Sequence, residues 1–353
     1  MKLLETLTRT PSIAGREYRL RQAILENTKG LFDETSVDAL GSLICRRKPR
    51  LARGATKSRR KPLRVMIAAH MDQIGFMVRH VESNGFLRVQ NVGGFDTRNL
   101  FARLVTVCTD ARSPMGDLPG VMNPAGRPIH IASDEDKKTV PQISDLVVDL
   151  GLSADKVEKQ VHIGDMVVID APFRKVGNTV VGQCLDNRVA CWMAIRAVEK
   201  AKRHPCDIFV VFTVQEEVGC RGAGPAAQAI NPDIAIALDT TLCVDTPGVP
   251  EDQRVTKQGQ GAGLLVMDSS TIADLELLEF FEKLAGQKKI KTQRTILPRG
   301  GNDAATIQRK AAGFRVMTLV CPTRYIHTVT EMIHLDDLHA TCDMLSAYLV
   351  QAS

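Results

Sequence analysis

The stretch IFVVFTVQEEVGCRGA (208–223) carries two adjacent carboxylates, Glu216 and Glu217, directly after an apolar run, with Gly219, Gly222 and Gly224 close behind. Residues 208–214 are β-branched and aromatic, and a short run of that kind suits a strand covered on both faces. If the backbone stays extended through the pair, the two side chains point to opposite sides. One can then bind a metal while the other handles a proton. Taken alone, the stretch also fits a solvated strand end that happens to carry two acids.

Four other apolar runs end in the same kind of residue. Residues 65–69 lead to His70 and Asp72, 180–184 to Asp186, 234–238 to Asp239, and 315–320, through a short loop, to His327. In an open α/β sheet ligands bind outside the carboxyl ends of the strands, so these residues, remote in sequence, are expected to converge in one cleft. A single His or Asp at a strand end is usually a turn former or a capped polar group. Five in succession call for a further reason. Imidazole and carboxylate ligands without thiolates suit Zn, Mn or Co in a catalytic role. There are enough ligands for two ions if one carboxylate bridges, and two neighbouring ions can activate a water and polarise a carbonyl.

The elements that must position these residues read as two textures. Residues 1–30 carry a helical pattern in which Tyr18, Leu20, Ile24 and Leu25 approximate one face, and strands are expected at 34–37, 43–46 and 63–69. From 75 to 169 short, Val-rich alternating runs punctuated by Gly and Pro predict a small β-rich, barrel-like domain, with one helical piece at 153–160. From 176 onward strands alternate with helices at 187–202, 272–285, after Gly300-Gly301, and at 335–349. The expected fold is α/β: an α/β/α catalytic domain on a mixed sheet, residues 1–74 and 170–353, interrupted by a domain at 75–169.

At 353 residues and 44% hydrophobic content the chain can bury a large core. Its nine cysteines are odd in number and scattered, with no CxxC pair, which argues against a disulfide framework or a thiolate zinc site. No apolar run approaches the span of a bilayer, and Glu5 and Arg9 interrupt the first residues, so a cytoplasmic protein is expected. The net charge of +6 is local: ten basic residues and no acid lie between 46 and 64, and the remainder of the chain carries −4. That segment holds no aromatic residue to stack on bases, so it is read as a solvated loop, with a polyanion contact as the alternative. Gly259-Gln260-Gly261-Ala262-Gly263 has neither the Lys nor the setting of a phosphate loop.

The blocks AAHMDQIGFMV, CLDNR, VQEEVGCRGA, ALDT with DTPG, GGNDA and TRYIHT, in that order through nearly the whole chain, resemble the successive motifs of the tetrahedral (TET-type) dinuclear-metal aminopeptidases, the family that includes glutamyl and leucyl aminopeptidases. The resemblance implies that His70 and Asp239 bind one divalent ion and Glu217 and His327 the other, with Asp186 bridging. It also makes Glu216 the general base and Asp72 the acid that orients a ligand. It implies peptide substrates and a homo-oligomer, a dodecamer built from dimers, helped by the inserted domain. Two positions depart from the pattern: Gln73, where many members have Glu, and Asn302, where Gly-Gly-Thr-Asp-Ala is usual. Neither is an implied ligand, so the departures bear on pocket hydrogen bonding or substrate preference. A deacylase or carboxypeptidase on the same scaffold is the nearest alternative. A glycoside hydrolase needs acids flanking a bond across a cleft and leaves His70, Asp186, Asp239 and His327 unexplained.

Overall fold

The protein is described from a computed structural model covering residues 1–51, 61–110, 113, 114 and 116–352. Residues 52–60, the centre of the expected basic loop, lie outside the described residues. Helices α1 (Lys2–Arg9) and α2 (Tyr18–Asn27) lead into strands β1 (Glu34–Val37), β2 (Leu43–Arg47) and β3 (Arg64–His70). Strands β4 (Gly75–Val81), β5 (Leu87–Val92), β6 (Arg103–Cys108), β7 (Leu118–Pro124) and β8 (Leu146–Asp149) come next, then α3 (Ala154–Gln160) and β9 (Met166–Ile169). The chain continues through β10 (Arg174–Val176), β11 (Thr179–Gly182), α4 (Leu185–Lys200), β12 (Asp207–Thr213), α5 (Ala223–Ile230), β13 (Ile234–Leu242) and β14 (Ala262–Met267). It closes with α6 (Leu275–Lys288), β15 (Thr292–Ile296), α7 (Ala304–Gln308), β16 (Arg315–Arg324), β17 (Glu331–His334) and α8 (Leu335–Gln351).

Among the described residues eleven strands form one mixed sheet, in the order β1-β2-β12-β3-β13-β16-β17-β11-β10, with β14 and β15 branching from β16. The central strands β12, β3, β13 and β16 are parallel. They are buried on both faces, which is why their sequences run apolar without alternation. The pleat divides them between two cores. Val65, Ile67, Ile208, Val210, Phe212, Ile234 and Ile236 pack with α1, α2, α4, α6 and α8. Met66, Ala68, Val211, Ala235 and Ala237 pack on the other face with α5 and α7, where small residues let the alanine-rich α5 lie close. Each large aliphatic or aromatic side chain so buried contributes roughly 1.5–3 kcal/mol. The result is the expected three-layer α/β/α arrangement on a mixed sheet.

Strands β4 to β9 close separately into a six-stranded antiparallel barrel, ordered β4-β5-β8-β7-β6-β9, around Phe76, Val78, Leu87, Val105, Leu118, Met122 and Val148. Closure pairs every strand edge within the ring. The chain enters the barrel at Gly75, where a Cβ would lie 2.4 Å from Ile13 Cγ2 and 3.1 Å from the Val167 carbonyl oxygen, so only glycine fits. Arg19 on α2 also reaches the barrel, through Asp117 at 2.5 Å and Asp110 at 2.8 Å. All nine cysteines are free thiols. No helix among the described residues is long and apolar enough to cross a membrane.

Candidate metal centre

The parallel strands set the site through their register. β12 stays paired to β3 up to Thr213 opposite His70, and β13 stays paired to β16 well beyond Asp239. Between β3 and β13, however, pairing stops at Ala68 opposite Ala237. His70 and Asp239 each come two residues later, so they stand level with one another across a split at the carboxyl ends of the strands. Asp186 enters the split from the start of α4, where Asp186 and Asn187 are non-helical. Asn187 fixes that start by donating to the Leu238 carbonyl at 3.0 Å.

Two overlapping groups of side chains result, His70 with Asp186 and Asp239, and Asp186 with Glu217 and His327; within each, one ligand atom per residue lies within 4.8 Å of the others. His70 Nε2 is 3.3 Å from Asp186 Oδ1 and 3.9 Å from Asp239 Oδ1. His327 Nε2 is 3.6 Å from Asp186 Oδ2 and 3.5 Å from Glu217 Oε2. Each oxygen of Asp186 thus faces a different imidazole. Glu216 lies in neither group: its Oε2 is 3.9 Å from His70 Nε2, and its Oε1 accepts from the Cys220 thiol at 3.1 Å.

The two glutamates diverge for a reason other than strand alternation. β12 ends at Thr213, and Gln215 adopts φ +57°, so the pair stands in a turn and not in extended backbone. The turn is held by Asp72, which is fully buried and accepts the Glu216 amide on Oδ1 and the Glu217 amide on Oδ2, both at 3.0 Å. Asp72 also lies against His70: Nδ1 is 3.6 Å from Asp72 Oδ1 and 2.9 Å from the Asp72 carbonyl oxygen. The turn folds back tightly at Gly222, where a Cβ would come within 2.6 Å of the Val214 carbonyl oxygen.

Several residues of this neighbourhood carry no motif in the sequence. Glu17 Oε1 accepts the amides of Gly15 at 2.7 Å and Gln215 at 3.1 Å, which braces the turn before Glu216. Glu331, 1% exposed, accepts the Asp186 amide on one oxygen at 2.9 Å and the His327 amide on the other at 2.8 Å. Asp303, which does belong to the GGNDA block, accepts from Thr213 Oγ1 at 2.5 Å. The two residues that depart from the family pattern are both buried and hydrogen-bonded. Gln73 Oε1 accepts from the fully buried Arg188 at 2.7 Å. Asn302 donates to Asp268 at 2.8 Å and accepts the Ala304 amide at 2.9 Å.

So many acids in one buried place shift one another's titration. Burial raises Glu216 to about 7; His70 opposes this, while Asp303 and Asp72 add to it. Burial and the charge of Asp186 push Glu217 and Asp239 well above the usual carboxylate range. Asp186 is held low despite its burial, by His327 and His70. His327 is raised to about 10 although burial opposes it, because Asp186, Glu217 and Glu331 favour its cation. The pattern is that of an acid cluster in want of positive charge. Asp186 Oδ1 and Glu217 Oε1 are buried with no hydrogen-bond partner, which is what a cation would satisfy.

A sheet split at its carboxyl ends, imidazoles and carboxylates gathered in the split, and a closed barrel inserted beside it together make a site suited to divalent ions in a two-part fold. The match of residues 52–344 to the M42 glutamyl aminopeptidase family places the chain in that family. Over 355 aligned residues it is 30% identical to the lysyl aminopeptidase of Pyrococcus furiosus, covering 99% of this chain and 96% of that one. Among solved structures it is similar to an aminopeptidase of the archaeon Desulfurococcus kamchatkensis, with a TM-score of 0.91 and 32% identity over 100% of this chain and 94% of the other. It is also similar to the TET1 peptidase of Pyrococcus horikoshii, which can assemble into a tetrahedron or a large octahedral shell; there the TM-score is 0.85 and the identity 29%, over 99% of each chain.

Proposed function

We propose that this chain is a metal-dependent aminopeptidase that hydrolyses the N-terminal peptide bond of short peptides. The observation that carries the reading is Asp186, whose two oxygens face the two imidazoles and so join both ligand groups. In this reading His70 and Asp239 would hold one divalent ion and Glu217 and His327 the other, with Asp186 shared between them; Zn, Co or Mn suits the donor set. When bound, two such ions would supply Lewis-acid polarisation of the scissile carbonyl and a nucleophile at neutral pH. Glu216, outside both ligand groups, takes the proton of the attacking water and returns it to the leaving amine, the role its place beside the groups and in neither of them allows. Asp72 positions His70 and both glutamates. Glu216 and Glu217 sit against different imidazoles on one side of the cleft, which disfavours a glycosidase pair across a bond.

We further propose that residues 1–74 and 170–353 act as the catalytic domain and that 75–169 joins copies into dimers and then a dodecamer in the cytoplasm. The assembly of the TET1 relative and the exposed Leu104, Ile129, Ile131 and Ile163 on that segment support this. The test is hydrolysis of aminoacyl chromogenic substrates before and after chelation. Activity should vanish with the metal, return on adding Zn, Co or Mn, and be absent on N-acetylated substrates. Activity that survives metal removal, or prefers blocked amines, overturns the reading.

A further inference from the structure

Arg188 stands two residues beyond Asp186 at the start of α4, and it is fully buried. Its guanidinium donates through Nη1 to the Met71 carbonyl, and through Nη2 to the Thr10 carbonyl at 3.2 Å and to Gln73 Oε1 at 2.7 Å. Its Nε is buried with no partner. All three acceptors are neutral, and Arg188 makes no ion pair among the described residues. A buried charge is ordinarily paired, because neutral acceptors do not replace the hydration it has lost. Nε and Nη2 form the fork that a carboxylate fills with two oxygens. Gln73 has one oxygen to give that fork, and its other terminal atom is a donor. An amide therefore occupies the place of a counter-charge, at the position where many members of the family carry Glu. The cation left over stands against the segment that bears the ligands. Met71, whose carbonyl it holds, lies between His70 and Asp72. Gln73 lines a small cavity together with His327. Away from solvent a fixed charge is little screened, and a cation there repels a second one bound at the ligands.

We propose that Arg188, left without a counter-charge by Gln73, is a positioning residue whose charge keeps the affinity of the centre for divalent ions low, so that the chain takes up and releases its ions as their free concentration changes. The inference rests on the metal-dependent reading above. Metal-free protein titrated with zinc against a chromogenic chelator of known affinity reads binding without turnover. Gln73→Glu fills the fork and neutralises Arg188, so it should bind zinc about 10–100-fold more tightly than wild type, the range over which residues that support a ligand act. Without metal it should melt no lower than wild type, since the new carboxylate meets a cation that already lies buried. Gln73→Leu gives up the hydrogen bond and adds no charge, and its zinc affinity should stay within about 3-fold of wild type. A purely structural Arg188 predicts that Gln73→Glu moves the melting temperature and leaves the affinity where it was. Equal affinities in wild type and Gln73→Glu, tighter binding in Gln73→Leu as well, or a Gln73→Glu protein that melts below wild type overturns this inference and leaves the metal-dependent reading standing. Binding of no zinc by any of the three proteins overturns both.

Discussion

Exchanging the two neighbouring glutamates for glutamine, one at a time, separates proton transfer from metal binding. Glu216→Gln keeps the side chain's size and can still accept from the Cys220 thiol, but it cannot take a proton from water. We expect kcat to fall by about 10²–10⁴-fold, or roughly 3–5 kcal/mol of barrier, with metal content unchanged because this side chain lies in neither ligand group. Glu217→Gln removes a charge next to His327 and Asp186. Affinity for that ion should drop by more than the ~10–100-fold typical of losing a residue that only supports a ligand, and activity should return in part at high metal concentration. The metal-free Glu217→Gln protein should also melt higher than metal-free wild type, since burial and Asp186 make ionised Glu217 costly. Elemental analysis, kcat and melting temperature measured side by side on both variants decide the matter. Loss of metal from Glu216→Gln with retention in Glu217→Gln would reverse the two roles, and effects below a few-fold in both would refute a part for either in the chemistry.

Asp186→Ala should deplete both ions and His70→Ala mainly one; elemental analysis finding two ions per chain in the Asp186 variant would refute the bridge. The purified protein should form a large closed oligomer, and light scattering that shows a monomer at every concentration and metal load would refute that assembly. Glu17→Gln should change the pH dependence of stability. Burial, then Asp72, raises Glu17 from 4.5 to about 7, so ionising it costs the folded state more than the unfolded one. Wild type therefore loses stability relative to the glutamine variant as pH rises from about 4.5 to about 7, by at most about 3 kcal/mol, and the gap is flat above. Denaturant titrations at pH 4, 6 and 8 should show the gap opening in that window, and a pH-independent gap would refute the shift.

The parallel core was legible because residues such as those of β12 are buried at every position, which makes an apolar run that ends where the chemistry begins. The convergence of His70 and Asp239 was legible for the same reason, since parallel strands place the residue after each run at one edge; Asp186 and His327 reach that edge from a helix start and a loop. What misled was the backbone at 215–217, where the apolar run suggested continued extension and the left-handed Gln215 ends it instead. Nothing local in the sequence marks that residue, since the force that holds the turn comes from Asp72 and Glu17, far away in the chain. The glycines at 259 and 261 show the same logic in reverse. Their amides both donate to the Asp337 carboxylate at 2.7 Å, so an internal acid fills the place a phosphate would take.

Asp72, Glu17 and Glu331 share one device: a buried carboxylate that captures backbone amides beside the residues of the site. Asp72 stands two residues from His70 and so belongs to a motif, but Glu17 and Glu331 answer to the geometry of amides and not to a partner side chain, so no spacing or pairing reveals them in sequence. Glu331 shows why the device matters. The sheet fixes His70 and Asp239 by register, but Asp186 precedes a helix and His327 lies on a loop at φ +61°, so no strand pairing relates them. Glu331, on β17, accepts an amide from each and sets their separation. His70 and Asp239 are therefore held by the sheet, while the spacing of Asp186 and His327 depends on one buried acid, and a point substitution at Glu331 is expected to change that spacing.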